Sequence, residues 1–67
     1  METRHLADAN RIIAAGEARV ERQLALIERL KAQGVDTVTA EVFLDLLRQT
    51  MAELYRQREL IVATLKT

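Results

Sequence analysis

The stretch AEVFLDLLRQTMAELYRQRELIVATL, residues 40–65, decides the fold. Within it Ala40, Leu44, Leu47, Met51, Leu54, Arg58, Ile61 and Leu65 follow one another at alternating steps of four and three. That spacing puts them on one side of an α-helix and defines a heptad seam that must face a partner. One member, Arg58, is charged. The seam is an incomplete object by itself, and the rest of the chain reads as what covers it.

Upstream, Leu6, Ala9, Ile13, Gly16, Val20, Gln23, Ile27 and Leu30 form a second seam of the same period. Ile12, Leu24 and Leu26 widen it, while Arg11, Glu17, Arg19, Glu21, Arg22, Glu28 and Arg29 lie between its members. Thr3 is placed to cap the first turn. Asp8 with Arg11, and Glu28 with Lys31, stand three residues apart and can pair along the helix.

Between the seams the chain breaks once, at Gln33-Gly34-Val35-Asp36-Thr37. Gly34 suits the left-handed residue that closes a helix. Asp36 or Thr37 can cap the next one. With Asp36 as the cap, Val35 and Ala40 occupy the two positions of a hydrophobic staple. The expected layout is one domain over residues 1–67: helix one about 3–33, a turn at 34–37 and helix two about 38–66. So short a connection holds two helices antiparallel and adjacent. A turn centred near residue 35 sets Leu24 level with Leu47, Ile27 with Leu44, Val20 with Met51 and Gly16 with Tyr55. Gly16 in mid-helix then leaves room for the Tyr55 ring or for the close approach of another helix.

Composition narrows the class. Leu, Ala, Glu, Arg and Gln dominate, all good helix formers, and proline is absent. Ten basic and ten acidic side chains cancel, so no long-range field attracts nucleic acid or an anionic membrane. There is no cysteine and one histidine, which excludes disulfides and thiolate metal sites. No apolar run reaches the roughly 20 residues of a membrane span. These features point to a soluble, cytoplasmic, all-α protein that needs no cofactor.

Two rods about 40–45 Å long at 1.5 Å per residue bury only one line of contact each. Helix two carries more apolar surface than that: Val42, Phe43, Leu46 and Leu60 lie off its seam, as Ile12 and Leu26 do in helix one. A soluble monomer avoids so long a patch. The expected architecture is therefore an antiparallel two-helix hairpin that dimerises into a four-helix bundle. Leu24, Ile27, Val42, Phe43, Leu46, Leu47, Met51 and Leu54 are the expected core and dimer-packing residues. The orientation of the two hairpins is left open.

No catalytic constellation is visible. Serine and cysteine are missing, and the threonines have no base at a fixed spacing. The expectation is a non-enzymatic homodimer that engages another protein through a helix face, with Glu17, Arg19, Arg22 and Gln23 as the candidate surface group. A second reading takes Arg11, Arg19, Arg22, Arg29 and Arg48 as a nucleic-acid face on a hairpin dimer similar in architecture to the small Rop proteins. The interleaved acids and the lack of aromatic platforms argue against it. A remote third reading is phosphotransfer on His5, because sensor-kinase dimerisation elements are also hairpins. Those carry an acid directly after the histidine, and here Leu6 follows. The polar seam members Arg58 and Gln23 either fix register or send polar ends out past packed stems, Arg58 toward Glu17, Asp8 or Glu59.

The segment Gly16-Glu17-Ala18-Arg19-Val20-Glu21-Arg22-Gln23, followed by Gly34-Val35-Asp36-Thr37, resembles a family of short uncharacterised bacterial proteins. Those pair a Gly-Glu-x-Arg-[Ile/Val]-x-Arg-Gln segment with a Gly-x-Asp-Thr turn and a second helix. The resemblance spans residues 5 to 61. It implies a helical hairpin and carries no activity, substrate or cofactor with it.

Overall fold

A computed structural model describes the backbone of residues 2–67 and the side chains of residues 4–67. Two helices make up the described chain: α1, Glu2–Ala32, and α2, Val38–Lys66. No strand occurs among the described residues. α1 begins at Glu2, so Thr3 lies within the helix, and a capping role for its side chain falls outside the described residues.

The turn follows from Gly34. Its φ of 71° is left-handed, where a Cβ costs energy and glycine costs little. The Val35 N–H donates to the Leu30 carbonyl at 2.9 Å and the Gly34 N–H to the Lys31 carbonyl at 3.0 Å. Those two bonds are the Schellman closure of an α-helix C-terminus. The second helix starts one residue later than a cap at Asp36 requires. Thr37 is the boundary residue, and its hydroxyl donates to the Glu41 carboxylate at 2.8 Å instead of accepting from the backbone. Asp36 takes the free Val38 N–H at 2.9 Å. With Thr37 as the boundary, Val35 and Ala40 leave the staple frame, and Val35 stands exposed.

Contacts climb α2 as they descend α1, from Gln23 with Ala40 to Asn10 with Arg58, so the helices run antiparallel. The seams meet, but the core is thin. Ile13, Ile27, Leu44 and Met51 are the buried apolar side chains, and each belongs to a seam. Leu47 and Leu54 are half-buried. Leu24, Val42, Phe43 and Leu46, expected in the core or the dimer contact, are exposed on the single chain.

Gly16 does admit a neighbour, and the neighbour is Met51. A Cβ built on Gly16 would collide with the Met51 sulfur, sit 3.4 Å from its methyl group and 3.9 Å from Leu54. The Tyr55 ring stands one position further round, against Glu17. The expectation that Gly16 makes room therefore holds, and the residue assigned to the space is corrected. Met51 leans into α1 there, so at this level the helices pack by a side chain entering a gap.

The hairpin is long for its mass. It measures 53 × 15 × 12 Å with a radius of gyration of 15.6 Å, against about 11 Å for a compact domain of this length. Its accessible surface is 5229 Å², while a compact monomer of this mass exposes about 4,300 Å². The excess, about 900 Å², is close to what one partner contributes to a standard stable interface.

Candidate interaction surfaces

The line where α1 meets α2 divides the hairpin into two faces of different chemistry. One carries grooves lined by Ile12, Ala15 and Leu26 from α1 and by Phe43, Leu47, Leu54 and Ile61 from α2. The opposite groove is lined by Glu17, Val20, Glu21, Arg48, Ala52 and Tyr55. Met51 reaches both sides of the seam. Ile12, Phe43 and Leu46 are each about half exposed, at 52%, 51% and 53%. Ile12, Leu26 and Phe43, off the seam of their helices, thus share a face, and at 100° per residue Leu46 falls to the same side of α2.

The polar face is fastened by one network. The Tyr55 hydroxyl donates to Glu17 at 2.7 Å. The Arg58 guanidinium lies 5.5 Å from the centre of the Tyr55 ring and donates to Asn10 at 3.2 Å. Arg58 does send its charge out past a packed stem, but to Asn10 and the ring, not to Glu17, Asp8 or Glu59. The hydrogen bond to Glu17 raises the pKa of Tyr55 above its ordinary value. Burial and the nearby carboxylate add to the rise, and Arg58 opposes it. Asn10 carried no signal in the sequence, because an asparagine in mid-helix is silent until its partner is known.

Gln23 is not a surface contact. It is half-buried, and its amide donates to the Ala40 carbonyl at 2.9 Å, a bond from one helix to the backbone of the other. A polar seam residue pins the hairpin here by bonding to a carbonyl that already serves its own helix. Of the other candidates, Glu17 belongs to the polar face, while Arg19 and Arg22 border the apolar one. The structure therefore splits the group across the seam.

Arginines and glutamates that interleave in the sequence separate in space. At 100° per residue, Arg11, Arg22 and Arg29 fall within about 20° of one another on α1. Arg22 and Arg29 edge the groove that holds Leu26 and Phe43. Glu17, Glu21 and Glu28 project from the other flank. Arg48, grouped with the α1 arginines on sequence grounds, lies instead beside Glu17 and Glu21. Asp8 pairs with Arg11 as its spacing suggested, and Glu53 pairs with Arg56; no Glu28–Lys31 pair forms among the described residues. His5 is exposed at the open end of the hairpin, in a groove with Asp8, Ile12 and Leu54.

Among the described residues no group of three or more His, Cys, Asp or Glu side chains is placed to hold a metal ion. No described helix is long and apolar enough to cross a membrane. No protein-family model matches the chain, and no match is found among curated proteins or solved structures.

Proposed function

We propose that the protein is a small non-enzymatic interaction module that works as a homodimer. Two hairpins close their apolar faces on each other into a four-helix bundle, and the outer faces engage another protein. One observation carries this reading: Ile12, Phe43 and Leu46 stand half exposed on a single face, while four apolar residues are buried among the described ones. A second copy supplies the matching apolar face and about the area a stable interface needs. Membership in the family of short bacterial hairpin proteins noted above is part of the proposal and adds no activity to it.

Sedimentation equilibrium at micromolar concentration tests the dimer. Twice the chain mass is expected for the native protein, and the chain mass for Phe43→Glu and Leu47→Glu. A compact, well-folded native monomer refutes the reading. Recovery of partners from cell extract, with and without nuclease, tests the rest, and a protein that stays bound after nuclease supports it.

A second reading, nucleic-acid binding, gains from the flank of α1 that gathers Arg11, Arg22 and Arg29, of which Arg11 is paired with Asp8. It predicts binding that falls steeply with salt, with a slope set by the number of phosphates neutralised. It also predicts recovery of RNA or DNA that nuclease abolishes. Replacing Arg11, Arg22 and Arg29 with glutamine should flatten that slope.

A further inference from the structure

The flanks of the two helices differ, and the difference selects one way for two copies to meet. Beyond Phe43, the outer flank of α2 carries Val42, Leu46 and Leu60, which are 55%, 53% and 64% exposed. Val42 and Leu60 are 18 residues apart, five whole turns, and Leu46 lies about 40° from that line. The corresponding flank of α1 carries Arg11, Arg22 and Arg29, all exposed, with Arg11 paired to Asp8 on the same helix.

Two hairpins stacked by their apolar faces have two symmetric arrangements. A two-fold axis along the helices puts both turns at one end and lays α1 of one copy on α2 of the other. The arginine flank then covers the Leu46 and Leu60 flank, and charged groups lose water against apolar surface. An axis across the helices puts the turns at opposite ends and lays each helix on its own counterpart. Leu46 of one copy then meets the Leu60 position of the second, apolar against apolar. Glu53, midway between them, is paired with Arg56 on its own helix.

We propose that two copies meet antiparallel, α2 against α2 and α1 against α1, so that the arginine flanks of both copies join into one composite basic face. This rests on the dimer reading above. Neither copy builds that face alone: one α1 supplies half of its arginines, and the chain as a whole has no net charge. It also leaves the Tyr55 network on the outside of the bundle, away from the contact.

The chain has no cysteine, so a single label site is clean. Gln33→Cys, at the exposed end of α1, carries a nitroxide for pulsed dipolar spectroscopy on the intact dimer. The antiparallel arrangement separates the two labels by nearly the helix length, about 40 Å or more at 1.5 Å per residue. A label separation of about 20 Å or less means that the turns share an end, and it overturns the orientation while leaving the dimer standing. Absence of any dipolar coupling, with sedimentation at the chain mass, removes the dimer itself and the proposal with it. A second label, at Glu53→Cys, moves the opposite way: the antiparallel dimer brings its two copies close at the axis, and oxidation cross-links them.

Discussion

The contact between Gly16 and Met51 gives the sharpest quantitative forecast, because two opposed effects meet at one atom. Alanine in place of glycine in mid-helix gains about 1 kcal/mol in helix propensity. Here the new methyl would occupy the position of the Met51 sulfur. Overpacking of a filled site costs about 1–3 kcal/mol. Methionine is flexible, and grooves lie on both sides of Met51, so how far it yields sets where in that range the cost falls. Gly16→Ala alone should therefore range from neutral to about 2 kcal/mol destabilising. Met51→Ala alone removes a side chain that is 6% exposed and should cost about 2–5 kcal/mol. In the Met51→Ala background the obstacle is gone, and Gly16→Ala should then return its full stabilisation of about 1 kcal/mol.

The two substitutions should thus couple by about 1–3 kcal/mol, in the sense that the double variant is more stable than the sum of the singles predicts. Urea denaturation followed by circular dichroism measures this. All four proteins must be compared at one protein concentration, since any association adds a mass-action term. Additivity within about 0.5 kcal/mol refutes the packing account. So does a Gly16→Ala protein that gains the whole propensity term with Met51 in place, since the methionine would then not occupy the gap.

Three further outcomes follow from named contacts. Tyr55 is the sole tyrosine and there is no tryptophan, so absorbance near 295 nm titrates it alone. Its midpoint should lie above 10 in the folded protein and fall toward 10 in Glu17→Ala. The raised folded-state value means that its contribution to stability is complete below the unfolded pKa of about 10 and fades as pH rises through the folded one. Tyr55→Phe should flatten that loss in alkaline unfolding curves. Gln23→Ala should cost about 1 kcal/mol by chemical denaturation, the net worth of one hydrogen bond, because the Ala40 carbonyl keeps its helical partner. Gly34→Ala should cost about 1–2 kcal/mol, the penalty for a Cβ in the left-handed region, although nothing lies within 4 Å to obstruct it.

Periodicity made the hairpin legible. Steps of three and four fix which residues face inward, and Gly34 marks the one place where a helix has to end. Periodicity does not rank the side chains within one turn of a level position. Met51 and Tyr55 stand one turn apart on α2, and both come near Gly16, Met51 into its gap and Tyr55 onto the neighbouring Glu17. A glycine does not announce which side chain fills its gap. Nor can spacing alone rank the partners of Arg58 and Gln23, which bond across the seam to Asn10 and to the Ala40 carbonyl. The separation of arginines from glutamates was available in principle, since it needs only the helical angle. Reading the residues in chain order hides it, because Arg19, Glu21 and Arg22 are neighbours along the chain and point apart in space.

A core this thin would tie folding to association in a protein whose two copies meet. Four buried apolar side chains among the described residues leave little apolar contact inside one copy, and a core of this size in one chain supplies only about 3–5 kcal/mol. If the second copy completes the core, its stabilisation enters as the logarithm of protein concentration. The midpoint of thermal unfolding should then rise steadily as the chain is concentrated from one to a hundred micromolar. Phe43→Glu should then remove that dependence and lower the midpoint at the same time, since Phe43 is 51% exposed on the single chain and lies on the face assigned to the second copy. Leu44→Ala should lower the midpoint at every concentration and leave its slope nearly unchanged, because Leu44 is buried at 7% exposure within the single chain. The contrast between the two variants separates apolar surface that holds the hairpin from apolar surface that waits for a partner. A concentration-independent midpoint in the native protein would show that one copy is sufficient and that the exposed face serves something other than itself.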